Sequence, residues 1–193
     1  MSFSGASVSL RSAVFPRTTA VTNAVAIVTG TLFLAALAQI SLPIPGSPVP
    51  VTGQTLGVLL IGASYEASLG LTTFLTYLLV GLAGAPVFAD GAHGLARLTG
   101  PTGGYLIGML LASWLVGSLA GRKWDQRIQS AIPAMLLGNV VIFSFGLFWL
   151  HHYTEKSWSW TFSAGFTPFI LGEVLKIAIA GTSLPLVWRF LQK

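Results

Sequence analysis

The apolar residues of this chain come in long unbroken runs, and the polar ones gather between them. Six runs stand out, at 22–40, 54–65, 68–85, 103–120, 130–150 and 167–188. None shows the strict apolar–polar alternation of an outer-membrane barrel strand. Five fall within the roughly 17–25 residues that a bilayer-spanning helix needs. The run at 54–65 is short for a full span and is expected to begin inside the fold. The many glycines fit this picture, because small residues let membrane helices approach closely. The pattern predicts an all-α integral membrane protein of six transmembrane helices, without strands.

Composition strengthens that class. Only 8% of the residues are charged and 53% are apolar, against about 25% charged in a soluble domain. There is no cysteine, which excludes disulfides, thiolate metal sites and cysteine nucleophiles. The net charge of +5 would suggest nucleic acid in a soluble chain, but here its distribution explains it. With the N-terminus in the cytoplasm, Arg11, Arg17, Arg122, Lys123, Arg127, Arg189 and Lys193 fall inside, and Arg97 and Lys156 outside. Seven cations against two satisfy the positive-inside rule and put both termini in the cytoplasm. No nucleic-acid partner is needed. Trp149, Tyr153, Trp158 and Trp160 mark the outer edge, and Trp124 and Trp188 the inner one. Residues 1–20 read as a cytoplasmic tail and 21–193 as one membrane domain, with the first helix a retained signal anchor. There is no clear internal repeat.

The informative loops lie outside. "SLPIPGSPVP" (41–50) holds Pro43, Pro45, Pro48 and Pro50, so it is expected to be stiff and extended. The loop within 84–106 is rich in glycine and carries Asp90, His93 and Arg97.

Signs of enzymatic chemistry are sparse. The phosphate-binding pattern G-x-x-x-x-G-K-[ST] is absent. His151, His152 and Glu155 in "HHYTE" lack the spacing of helical zinc motifs and read as an exposed polar loop. Ser64 in "GASYE" lacks the glycines of a nucleophile elbow. Asp90 and His93 read as solvated loop residues. No metal or other cofactor is expected.

Glu173 and Lys176, in "GEVLKIAIAG", are harder to dismiss. They sit three apart, on one face of the last predicted helix. Glu173 lies about 9 Å below the helix's outer start. A charge at the bilayer centre costs roughly 2.5–3.5 kcal/mol even on the lenient insertion scale. Either the two form a structural ion pair, or they floor a ligand pocket open to the outside. Gln54 and Tyr105, beside the outer loops, favour the pocket. Tyr77 and Asn139 are candidates for the same site, with interhelical hydrogen bonding as the plainer role.

At these residues the sequence resembles the BioY family, the biotin-specific substrate-binding components (S-components) of energy-coupling-factor transporters. The likeness rests on "VPVTGQTLGVLLIGA" (49–63), "GLAGAPVFADGAHGLARLTGPTGGYLIG" (81–108) and "GEVLKIAIAG" (172–181). It implies an S-component fold of six helices around one outer site, closed by the first loop. It also implies that Glu173 and Lys176 contact biotin. The chemistry fits, since a carboxylate accepts from a ureido N–H and an ammonium donates to its carbonyl. Arg97 is the available cation for the valerate carboxylate. Tyr77, Tyr105 and loop residues such as Ile44 would cover the apolar parts.

The resemblance further implies partners: a membrane scaffold (the T-component) and two cytoplasmic ATPases, or self-association. Ala20 with Ala24, and Ala26 with Gly30, are small pairs at helical spacing that a scaffold helix would meet. The implied location is the bacterial cell membrane. Two alternatives stand beside this reading, an S-component for another vitamin and a membrane-embedded hydrolase using His93 or His151.

Overall fold

The computed structural model describes residues 9–16 and 19–191. Arg17, Lys193 and half of the expected tail lie outside the described residues. Helix α1 (Leu10–Val14) precedes α2 (Ala20–Gln39). A hairpin of β1 (Ser41–Leu42) and β2 (Val51–Thr52) follows. Next come α3 (Gln54–Tyr65), α4 (Ala67–Leu82), α5 (Leu95–Thr99), α6 (Gly103–Ala120), α7 (Ile128–Thr154), α8 (Trp158–Gly165) and α9 (Ile170–Leu191). Each of the six predicted runs contains one of these helices, although α4 stops at Leu82 and α9 starts at Ile170. Among the described residues, four stretches are long and apolar enough to cross a membrane: α2, α6, α7 and the α8–α9 run.

Helices α3 and α4 are shorter, about 18 and 24 Å at 1.5 Å per residue. Most of α3 is buried, including Gln54 at its first position. It therefore starts inside the fold, as its length suggested. One residue, Glu66, joins it to α4 with a left-handed φ of 72°. That corner packs against α6 at Gly117, where a Cβ would lie 2.7 Å from the Ala67 backbone. Two-thirds of α6 is buried, with α3, α4 and α7 packed around it. At Gly108 a Cβ would come within 2.8 Å of the Ile142 backbone, so α6 and α7 touch main chain to main chain.

The expectation of no strands fails in the first loop. Ser41 pairs with Thr52 and Leu42 with Val51 in an antiparallel ladder. These four residues are not proline, so the ladder forms at the loop's root, while Pro43, Pro45, Pro48 and Pro50 cannot donate to one.

Within the stretch expected as a tail, α1 is folded against the bundle. Ser9 caps it by accepting from Ser12 N. Arg11 is buried, and its guanidinium donates to Thr22 Oγ1 (3.1 Å) and Asn23 Oδ1 on α2. At the same end, the Trp188 indole donates to the buried Asp125 carboxylate, fastening the α6–α7 turn to α9.

Candidate functional site

A cavity with about 530 Å³ of atom-free space, partly open to solvent, lies where the first loop, the starts of α3, α6 and α9, and the middle of α7 converge. Val49 and Pro50 bring the loop to its wall. Ile44, the loop residue expected there, is not on it. The loop is not extended throughout as expected: it turns back at Pro45–Gly46, where Ser47 N–H donates to Ile44 O at 3.0 Å, so Ile44 stays on the arch while Val49 and Pro50 reach the wall.

Glu173 lines the cavity and is buried. Its Oε1 accepts from Lys176 Nζ at 2.7 Å and from Thr55 Oγ1 at 2.9 Å, while Oε2 has no partner in the protein. Lys176 stands behind it, off the cavity wall. Its ammonium also donates to Thr52 O (2.6 Å) and Thr55 Oγ1 (3.0 Å). An ammonium has three protons, and all three are engaged. The free hydrogen-bonding atom of the pair is therefore a carboxylate oxygen.

Gln54 lines the cavity, and its Nε2 donates to Tyr77 OH at 2.8 Å. Tyr77 is fully buried, is absent from the wall, and donates onward to Val87 O at 3.0 Å. It orients Gln54 rather than lining the space. Tyr105 is on the wall, its hydroxyl donating to Gly165 O at 2.8 Å and its ring stacked on Phe169. Arg97 is on the wall and half-buried. It donates to Ala89 O at 3.1 Å and sits 3.9 Å from the Asp90 carboxylate. Asn139 is buried but absent from this wall. It lines a second cavity between α7 and α9, shared with Glu173 and Phe143.

The groups considered for catalysis do not assemble. Asp90 faces Arg97, His93 is exposed, and the His151 ring stacks on Trp158 at 3.9 Å. Among the described residues no group of three His, Asp or Glu side chains could hold a metal.

The model of the BioY family matches residues 9–193. The chain belongs to the BioY family. A biotin transporter BioY2 of Lactococcus lactis subsp. cremoris is 36% identical to it, over 80% of this chain and 85% of that one. A biotin transporter BioY of Thermotoga maritima is 34% identical, over 71% and 79%. A crystal structure of the S-component for biotin from an ECF-type ABC transporter superposes with a TM-score of 0.80 and 25% identity, covering 92% of this chain and 96% of that one. BioY proteins are transporter components and not enzymes, and this one is a multi-pass membrane protein.

The cavity and its supports also contain residues that sequence reasoning missed. Thr52 and Thr55 precede Phe143 and Phe169 by 88 or more positions in the chain, and no local pattern joins the two pairs. Gln39, the last residue of α2, donates to Phe88 O (3.1 Å) and accepts from Gly91 N (3.0 Å). It thereby holds the turn that supplies Phe88 and Ala89 to the wall. As a lone amide at a helix end it carried no signal.

Proposed function

We propose that this chain is the biotin-binding S-component of an energy-coupling-factor transporter in a bacterial plasma membrane. The observation that carries the reading is the buried Glu173–Lys176 pair at the wall of a cavity under the proline-rich loop, in a chain of the BioY family. Helices α2, α3, α4, α6, α7 and α9 form the six-helix membrane unit, with both termini cytoplasmic and the cavity facing outward. Arg122, Lys123, Arg127 and Arg189 near the inner ends support that orientation.

Glu173 takes the ureido end of biotin through its free oxygen, and Lys176 holds the carboxylate in place. Arg97 receives the valerate carboxylate, and Tyr105 packs on the apolar middle. Gln54 supplies a polar contact, oriented by Tyr77. Uptake against a gradient needs an energy source. A T-component and two ATPases supply it, with self-association the other arrangement. Ala20 and Ala24 are exposed on α2 and suit a scaffold helix. Gly30 does not, because a Cβ there would lie 2.6 Å from Thr73 Cγ2.

The test is binding by purified protein to a panel of biotin, thiamine, riboflavin and lipoate, read by calorimetry and thermal shift. Biotin alone should bind tightly and raise Tm. Selective binding of another vitamin would reassign the transporter, and binding of none would overturn the reading.

A further inference from the structure

Six buried side-chain polar atoms among the described residues have no partner in the protein, and three belong to two residues that border one groove. They are Asn139 Nδ2, Asn139 Oδ1 and Glu173 Oε2. The groove lies between α7 and α9, is open along its outer side, encloses about 620 Å³ of atom-free space when that open side is counted, and is otherwise walled by apolar side chains such as the exposed Leu136, Val140 and Val174. Asn139 and Glu173 are only 4% and 6% exposed.

Orphaned polar groups at this depth call for an occupant. Asn139 is roughly 16 Å along α7 from its start at 1.5 Å per residue, near the bilayer middle. Lipid headgroups do not reach that depth, and lipid tails satisfy no hydrogen bond. Native buried polar atoms are overwhelmingly paired, so unpaired atoms on two side chains that share one space point to a polar ligand.

The groove is not separate from the central cavity. Phe143 and Glu173 line both, so these two side chains form the partition. The free atoms also have a definite chemistry. Asn139 offers a donor beside an acceptor, and Glu173 Oε2 adds another acceptor. A cyclic urea presents one carbonyl and two N–H groups. Its carbonyl and one N–H pair edge-on with a carboxamide, and the second N–H meets a carboxylate. Lys176 has no proton left for the carbonyl, whereas Asn139 Nδ2 does.

We propose that Asn139 is a ligand-recognising residue, which completes with Glu173 Oε2 a subsite for a cyclic urea reached past Phe143. This rests on the biotin reading above and adds the residue that selects the ureido head.

The test compares wild type, Asn139→Leu and Asn139→Ala for affinity toward biotin and desthiobiotin, which share the cyclic urea, and for Tm without ligand. Removing an orphaned buried amide should leave Tm equal or higher, at least for Asn139→Leu, while affinity for both ligands falls about tenfold or more. Unchanged affinity in both variants would overturn the inference. So would a joint fall of affinity and Tm in both, which is the mark of interhelical hydrogen bonding. Wild-type protein that ignores biotin would instead sink the function on which the inference rests.

Discussion

Lys176 holds Glu173 from one helical turn further along α9, at 2.7 Å, with every ammonium proton engaged inside the protein. Replacing Lys176 with Met leaves a buried carboxylate unpaired, which typically lowers stability by about 3–5 kcal/mol. Glu173 also loses the ammonium that fixes its position, so binding of a ureido N–H should weaken. Glu173→Gln keeps the shape and loses a charge-assisted bond, worth about 1.5–3 kcal/mol, or roughly ten- to a hundredfold in affinity. The double variant removes both charges and should be at least as stable as Lys176→Met while still binding poorly. Calorimetry beside thermal unfolding checks this. Normal binding by the double variant would make the pair purely structural.

Tyr77 acts through Gln54. Tyr77→Phe removes both of its hydrogen bonds and leaves the Val87 carbonyl and the Gln54 amide short of a partner. A stability loss of about 1–3 kcal/mol is expected, with weaker biotin binding as Gln54 loses its orientation. Thermal unfolding and titration of the single variant measure both effects, and full affinity would remove Gln54 from the site.

The loop between β1 and β2 is expected to close over the ligand. Its prolines narrow the open ensemble, so closure costs less ordering entropy than a flexible loop would. Gly46, at the arch with φ 79°, has no atom within 4 Å of where a Cβ would lie. A spin label at Ser47 should lose mobility when biotin is added. Equal mobility with and without ligand would rule out a lid.

Binding and uptake should separate at α2. Ala20→Trp or Ala24→Trp puts bulk on the exposed face, away from the cavity. Biotin affinity should hold within a factor of about two, and uptake reconstituted with scaffold and ATPases should fall. Loss of both together would assign these alanines to folding.

Asp125 predicts a pH dependence. Burial raises its carboxyl from 3.8 to about 6, against the Trp188 indole N–H, which favours the charged form. Between those values the folded protein holds a proton that the unfolded chain has released. This contribution is full below the lower value and is lost as pH rises through about 6. Asp125→Asn retains an acceptor for Trp188 and abolishes the titration. The Tm of the variant relative to wild type should therefore rise from pH 4 to pH 7, and a constant difference would contradict it.

The sequence by itself determined the six helices, because runs at 22–40 through 167–188 are too apolar for anything but lipid or a buried core. It also singled out Glu173 and Lys176, since charges in an apolar helix stand out against their surroundings. Arg97, Gln54 and Tyr105 were legible through the loops beside them. Only the tertiary structure decided which polar atoms are free. Lys176 and Glu173 look equivalent in the chain, yet Thr52 and Thr55, from the hairpin and α3, engage the lysine and leave Glu173 Oε2 open. Tyr77 and Asn139 likewise looked alike as buried polar residues. Packing paired the first with Gln54 and Val87 and left the second unpaired beside Glu173. Hydropathy is a property of each residue and is written locally. Hydrogen-bond satisfaction depends on partners brought together from distant parts of the chain, so it appears only once the helices are packed.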